Sequence, residues 1–489
     1  SIAAFDTQID SFLYIIPDHP YTSWSIAMSH SGNEFATAGG EGTIFIYETE
    51  TGKKKATINM PFEKEPFIVD DENHYLASKN TLEAINISYN DNVYSYDQFD
   101  VQLNRPDIVL KKLGRGDTSL IKNYSNAYKK RIKKLGINEN SIITNGHLPS
   151  IKIKNKFAIQ TSTRSKEYVL NIECTDTKYP LQSLQILVNN SPILGVDGRD
   201  LSKLKTKQTT EQASIPLAYG NNAIKIYCTN SKGATSLKES FTVLSSFNKD
   251  SITTLYFAGI GVAKYKDSSM NLTYSAKDIR DLASDFTRLY GKNFKVIIDT
   301  LLNEKVTKEN IFKLKKRLLQ TTPNDRVVIA ITGHGLLSDS LNFYYATYDI
   351  NFAKPELRGL QYDVIEGLLN DVPAQEKIMF IDACHSGALD KDEILTIKNS
   401  KNNIVINKSD QKNVKGIATR SSISIKNKSA KVSANSSFEL MQNLFSDLSN
   451  GNGAVIISAA GGMEYAFESA KWNNGVFTYS IREGVFDGY

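Results

Sequence analysis

Three kinds of apolar spacing divide the chain. From Trp24 to Thr51 short apolar runs alternate with polar residues and are broken by tight turns at Ser31-Gly32-Asn33 and Gly39-Gly40-Glu41-Gly42. Period-two alternation between such turns predicts antiparallel strands, and Phe67 to Ile87 predicts a further set of the same kind. Between Asp107 and Gly136 the period changes. Leu120, Ile121, Tyr124, Ala127, Tyr128, Ile132 and Leu135 fall at helical spacing, with lysines on the other face. From Leu148 to Ser245 alternation returns, in Tyr168–Cys174, Leu184–Val188 and Ala223–Cys228, and predicts a two-sheet sandwich. Leu170, Ile172 and Cys174 share one face of their strand, and Ile224, Ile226 and Cys228 share one face of theirs, so both thiols point inward.

From Ile252 onward, strands and helices alternate. Leu255–Val262 reads as a buried strand, Ala276–Leu289 as an amphipathic helix and Phe294–Ile298 as a strand. Lys308–Leu319 is a helix started by Thr307, followed by a strand from Arg326 to Thr332, a helix at Asp363–Leu369 and a strand at Lys377–Ile381. Ala454–Ala459 and Val476–Arg482 add a strand and a helix. This alternation predicts a mostly parallel sheet with helices on both faces. The expected fold class is therefore multidomain, with an all-β N-terminal part and an α/β C-terminal domain. Leu389 to Ser437, rich in Lys, Asn and Ser, has no apolar period and is expected to be an exposed, mobile loop.

Composition narrows the classes. The 489 residues exceed one ordinary core, and 40% hydrophobic with 23% charged residues is the balance of a globular protein. No apolar run is long enough to cross a bilayer as a helix, so no membrane partner is expected. The net charge of +5 is mild, and neither of its basic clusters, Lys111–Lys134 and Lys391–Lys431, interleaves aromatics in a recognised binding module, so nucleic acid is not an expected partner. Three cysteines exclude a disulfide-rich scaffold, and a nucleophilic thiolate favours a reducing, cytoplasmic setting. There Cys174 and Cys228 read as two small core residues, the alternative being an inter-sheet bridge.

The chemistry sits on two strand tips. Gly333-His334-Gly335 follows one buried strand and Asp382-Ala383-Cys384-His385-Ser386-Gly387 follows another. In open α/β sheets ligands bind beyond the carboxyl ends of the strands. A thiol with an ordinary pKa near ~8.5 needs an imidazole to raise its thiolate fraction, so Cys384 reads as nucleophile and His334 as base. Backbone N–H groups of Gly335 and Cys384 lie next to the reactive groups and are the candidate oxyanion donors. His385 neighbours the nucleophile but points away along extended chain, and Asp349 lines the pocket or caps a turn.

The ordered pair of motifs resembles the caspase-like cysteine peptidases. Its Asp-Ala-Cys-His-Ser-Gly form is similar to the metacaspase and bacterial caspase-homologue branch, and Leu272–Asp278 and Asn474-Gly475-Val476-Phe477 also resemble that family's pattern. The resemblance implies a catalytic dyad of His334 and Cys384, and an S1 pocket floored by Asp382 with Asp278 as a second acid. For Asp278, pairing with the helix dipole is the alternative. It further implies a substrate-pairing edge at Ser458, Ala459 and Ala460, with Trp472 near a subsite. Two carboxylates in S1 imply cleavage after Arg or Lys. The lysine-rich 389–437 segment occupies the place of a linker that such enzymes cut, which implies self-cleavage. No cofactor is expected to be required; because some relatives need calcium, activation by it stays open as an alternative, with no calcium-loop spacing visible in the sequence.

The N-terminal strands, ending in Ile44-Phe45-Ile46-Tyr47-Glu48, resemble a WD40 propeller blade, and the later sandwich resembles the immunoglobulin type. The expected domains are a propeller remnant at 1–100, a helical connector at 101–147, a sandwich at 148–246 and the caspase-like domain at 252–489. A propeller closes only with about four to eight blades. Together with the opening Ser1 and a sheet that stops early, this predicts a piece of a longer protein. The expected partners are protein or peptide substrates, with a protein regulator on the N-terminal β modules. A catalytically silent scaffold is the competing function.

Overall fold

The computed structural model describes residues 2–486 except 9, 17–22, 40–41, 62–64, 83–84, 90–91, 96–97, 117, 143–146, 157–158, 249–251, 339–341, 384–416, 420–451, 460–466 and 470. Cys384, His385, Ala460 and nearly all of 389–437 thus lie outside the described residues. Among those that remain, no helix is long and apolar enough to cross a membrane.

The N-terminal region is built largely of β-strands. Ser23–Met28, Glu34–Gly39, Thr43–Glu48, Lys54–Asn59, Phe67–Asp70 and Tyr75–Leu76 form one antiparallel sheet in chain order. Phe67–Asp70 and Tyr75–Leu76 therefore continue the first sheet, because Phe67–Asp70 pairs directly with Lys54–Asn59, whereas Asn86–Tyr89 pairs with Asn92–Ser95 in a sheet of its own. The helix Thr118–Lys134 follows, burying Leu120, Tyr124, Tyr128 and Ile132 as its period requires. Its last turn is stitched to the next domain by the Gln182 side-chain amide, which donates to the Leu135 carbonyl at 3.0 Å.

The next domain is a sandwich of two sheets. Ser150–Ile153, Glu167–Thr175 and Gln208–Pro216 make one, and Leu181–Val188, Gly220–Asn230 and Glu239–Ser245 lead the other. Leu170, Ile172, Leu184, Ile186, Ile224 and Ile226 fill the space between them, all fully buried. Cys174 and Cys228 point into this core as free thiols. A hydrogen bond to Cys228, and then burial, pushes the Cys174 thiol above its ordinary range, so it is inert at neutral pH.

The C-terminal domain is a five-stranded parallel sheet. Its strands are β1 (Thr254–Gly261), β2 (Lys295–Leu302), β3 (Arg326–Thr332), β4 (Glu376–Asp382) and β5 (Val455–Ser458), in the order β2-β1-β3-β4-β5. The central strands are near-continuous apolar runs because helices cover both faces. On one face α1 (Ser275–Tyr290) sets Ile279, Leu282, Ala283 and Phe286 against Leu255, Phe257 and Val328. On the other, α2 (Lys308–Leu318) and α3 (Tyr362–Glu366) set Ile311, Leu314, Leu318 and Ile365 against Ile260, Ile329 and Ile331. The helix α4 (Val476–Ile481) joins α1's face through Phe477 and Ile481. Glycines let α1 come this close: a Cβ on Gly259 would lie 2.3 Å from the Ile279 side chain.

The sandwich meets this sheet at the strands' N-terminal ends. Asn189 donates to the Gln375 side chain at 2.6 Å, Ser191 donates to the Gln375 carbonyl at 3.2 Å, and the Tyr219 N–H reaches Asn324 at 2.6 Å. Gln375 precedes β4 and Asn324 precedes β3, so the opposite tips of both strands stay clear of the sandwich.

Lys377, near the start of β4, is 4% exposed, and its ammonium donates to the Val372 carbonyl at 3.2 Å. Burial lowers its pKa to about 8 from 10.5, with Asp371 opposing the shift. Between those two pH values the unfolded chain holds the proton that the folded chain has lost, so stability rises with pH through that window and bears the full cost below it. Lys377→Met should stabilise the C-terminal domain by about 3 kcal/mol at pH 7, less the lost hydrogen bond. The gain should fade as pH rises to 10.5, which urea midpoints of both proteins across that range will read.

Candidate active site

The chain connections diverge between β1 and β3: the path leaves β1 for β2 on one side, then crosses back to β3 on the other. Such a divergence opens a crevice at the carboxyl ends of the strands. His334 stands there, two residues past β3 and 2% exposed.

Its imidazole is held from three directions. Nε2 lies 2.9 Å from the Met270 carbonyl, and since a carbonyl only accepts, Nε2 carries the hydrogen. Neutral His334 then has Nδ1 as its basic nitrogen. The rings of Tyr265 and Phe352 lie 5.2 Å and 5.9 Å from the imidazole, Tyr265 tilted by 32° and Phe352 edge-on at 82°. The backbone is fixed as well, because the His334 N–H donates to the Tyr265 hydroxyl at 3.0 Å and the Tyr345 hydroxyl donates to the Thr332 carbonyl at 2.9 Å. Beyond His334, Gly335–Leu337 pairs antiparallel with Phe343–Tyr345, which places Gly335, a candidate oxyanion donor, at the mouth of a small hairpin.

The parallel ladder brings the other candidates to the same edge. Thr332 is in register with Asp382, and the Gly333 N–H donates to the Asp382 carbonyl at 3.1 Å. Asp382 is 2% exposed. Ser458 pairs with Ile381, and the Ala459 N–H donates to the Ile381 carbonyl at 2.9 Å. His334, Asp382, Ser458 and Ala459 thus line the tips of three adjacent strands, and Cys384 follows Asp382 by two residues in sequence.

Asp278 lies in the first turn of α1 and is fully buried. Its carboxylate accepts from the Asn474 side chain at 2.9 Å and from the Gly475 N–H at 3.1 Å, so it is engaged with the segment that leads into α4. Sequence reading missed what surrounds it. Asp281 and Asp285, one and two turns further along α1, accept from Arg482 at 3.0 Å and 2.7 Å, and Arg482 also donates to Asn474 at 3.0 Å. The signal was present as three acids on one helical face with an Arg in the closing helix. Trp472 packs against Tyr479 at 6.0 Å, and Asp349 accepts from Arg358 at 3.0 Å beside the site.

His334, Asp382, Ser458 and Ala459 thus gather at the C-terminal rim of a parallel sheet, the place where open α/β sheets bind ligands. Residues 259–485, just under half of the chain, match the family model of the caspase domain, peptidase family C14. The match supports a caspase-like peptidase. The match begins within β1 and runs past α4, so it falls on the C-terminal parallel sheet with its helices. No curated protein matches the chain. Among solved structures, one from Geobacter sulfurreducens is 15% identical over 48% of this chain and 83% of its own, with a TM-score of 0.31. Fibronectin(III)-like modules of CbhA from Clostridium thermocellum are 14% identical over 22% of this chain and 50% of theirs, with a TM-score of 0.17.

Gly333 sets the backbone path into His334. Its φ of +151° is disfavoured for side-chain-bearing residues, and a Cβ there would meet both the Tyr265 hydroxyl and the Tyr345 ring at 3.1 Å. Gly333→Ala should cost about 2 to 3 kcal/mol in urea unfolding and displace His334, since strain and overpacking act together.

Proposed function

We propose that this protein is a cysteine endopeptidase that cleaves after Arg or Lys. The Cys384 thiolate attacks the scissile carbonyl while His334, having taken the thiol proton, returns it to the leaving amine; water, deprotonated by His334, then hydrolyses the thioester and restores the thiol. The N–H groups of Gly335 and Cys384 receive the oxyanion. Asp382 is the principal acid of the S1 pocket, with Asp278 the second acid, held by Asn474 and Gly475. Ser458, Ala459 and Ala460 pair with the substrate backbone as an added strand.

The observation that carries this reading is the Nε2 contact of His334 with the Met270 carbonyl at 2.9 Å. It supports a fixed tautomer whose basic nitrogen is Nδ1, in a residue hydrogen-bonded through its neighbour Gly333 to the strand that leads into Cys384. A buried core histidine would also need its ring N–H bonded, so it is the glycines on both sides of His334 and its place just past the carboxyl end of a parallel strand that favour the catalytic role.

The reading extends to the flanking modules. The lysine-rich 389–437 segment is a substrate of the enzyme itself, and the propeller-like and immunoglobulin-like modules hold a protein regulator. The enzyme needs no cofactor and works in the cytoplasm.

Fluorogenic peptides with Arg, Lys or Asp at P1, assayed with and without calcium, test the specificity. Turnover should be confined to Arg and Lys, and Asp382→Asn should lower kcat/KM by about 100-fold, the value of a buried charge pair. Absence of turnover with every peptide would favour the scaffold. Intact mass after incubation tests the self-cleavage: wild type should break within 389–437 and Cys384→Ala should stay whole.

A further inference from the structure

A cleft of about 580 Å³ lies beside His334, lined by Asp267, Met270, Asp349, Ile350, Phe352 and Leu357 among others. Two of its walls are parts of the histidine's own setting. Met270 supplies the carbonyl that holds Nε2, and Phe352 packs edge-on against the imidazole at 5.9 Å. The cleft therefore adjoins the setting of His334.

Its side of the histidine follows from the sheet order. β3, which carries His334, lies between β1 and β4; Met270 and Asp267 come from the loop after β1, and Cys384 follows β4 in sequence. The Asp267 and Met270 wall of the cleft thus lies on the β1 side of the imidazole, away from the β4 tip. In the acyl transfer proposed above, the histidine protonates the leaving amine, so the part of the substrate that departs lies on the histidine's side of the scissile bond. An extended peptide advances about 3.3 Å per residue, so one or two residues past the bond reach a wall that touches the imidazole.

Resting on that peptidase reading, we propose that this cleft is a prime-side subsite that takes a large apolar side chain, one or two residues after the scissile bond. Met270, Ile350, Phe352 and Leu357 supply the apolar lining, and Leu357 is 61% exposed, surface that a bound side chain would cover. The Arg358 guanidinium is engaged by Asp349 at 3.0 Å, and Asp267 adds a second carboxylate, so an acidic side chain is disfavoured.

Internally quenched peptides with Arg at P1 and Gly, Leu, Phe or Asp at the two following positions test the subsite. Leu and Phe peptides should exceed the Gly peptide in kcat/KM by about 10-fold, the effect of partly burying one such side chain, and Asp should fall below Gly. Leu357→Asp, or Ala353→Trp to fill the cleft, should reduce that advantage to under ~2-fold, the reverse of the burial gain. Both should leave turnover of the Gly peptide, the reporter that places no side chain in the cleft, unchanged. Equal rates for Gly, Leu and Phe peptides, or a preference that survives both substitutions, would overturn the subsite while the peptidase stands. A silent reporter would instead overturn the peptidase. Titration of the same peptides into the Cys384→Ala protein then decides the cleft, by tighter binding of Leu and Phe peptides that Leu357→Asp removes, or by equal binding, which rejects it.

Discussion

The register of one parallel ladder governs the rest of the site. Thr332 of β3 lies opposite Asp382 of β4, and the bond from the Gly333 N–H to the Asp382 carbonyl extends the pairing one step past the strand. A slip of one residue would turn each side chain to the other face of the sheet, taking His334 away from its aromatic walls and Asp382 away from the rim. Register is secured by what the strands bury. Ile329, Ala330, Ile331, Met379, Phe380 and Ile381 are locked between helix layers on both faces, so no alternative pairing keeps both cores filled.

Around that register the caspase domain uses backbone groups more than side chains. The Met270 carbonyl sets the tautomer, the Asp382 carbonyl holds Gly333, and the Tyr265 hydroxyl accepts from the His334 backbone. Backbone partners come from loops whose positions depend on the whole sheet, so reactive geometry and fold are one construction. The acidic face of α1 plays a similar part at a distance, tying Asn474, Gly475 and Arg482 to the helix beside the site. Meanwhile the sandwich grips the far ends of β3 and β4 through Asn324 and Gln375. These contacts therefore fall at the ends of β3 and β4 opposite to His334 and Asp382.

Much of this was legible along the chain. Buried parallel strands read as apolar runs, α1 and α2 read from their spacing, and Thr307 was recognised as a helix start and does accept from the Asn310 N–H at 3.3 Å. Inward-facing Cys174 and Cys228 followed from alternation, and both are buried as free thiols. That Phe67–Asp70 and Tyr75–Leu76 extend the first sheet is not legible there, because alternation fixes a strand's faces but not its neighbours. The cleft at Met270 and Phe352 had no signature at all.

The difference between the two has one physical origin. Local spacing and side-chain chemistry determined the elements, the faces they bury and the presence of a histidine and a cysteine after buried strands, because those properties depend on residues within a few turns of each other. Only the tertiary structure decided which nitrogen of His334 holds the proton, that Asp278 is bound by Asn474 and Gly475, and where a cleft opens beside the imidazole. Each of these depends on groups brought together from distant parts of the chain: Met270 lies 64 residues from His334, and Gly475 lies 197 from Asp278. Contacts at that separation are set by how layers pack.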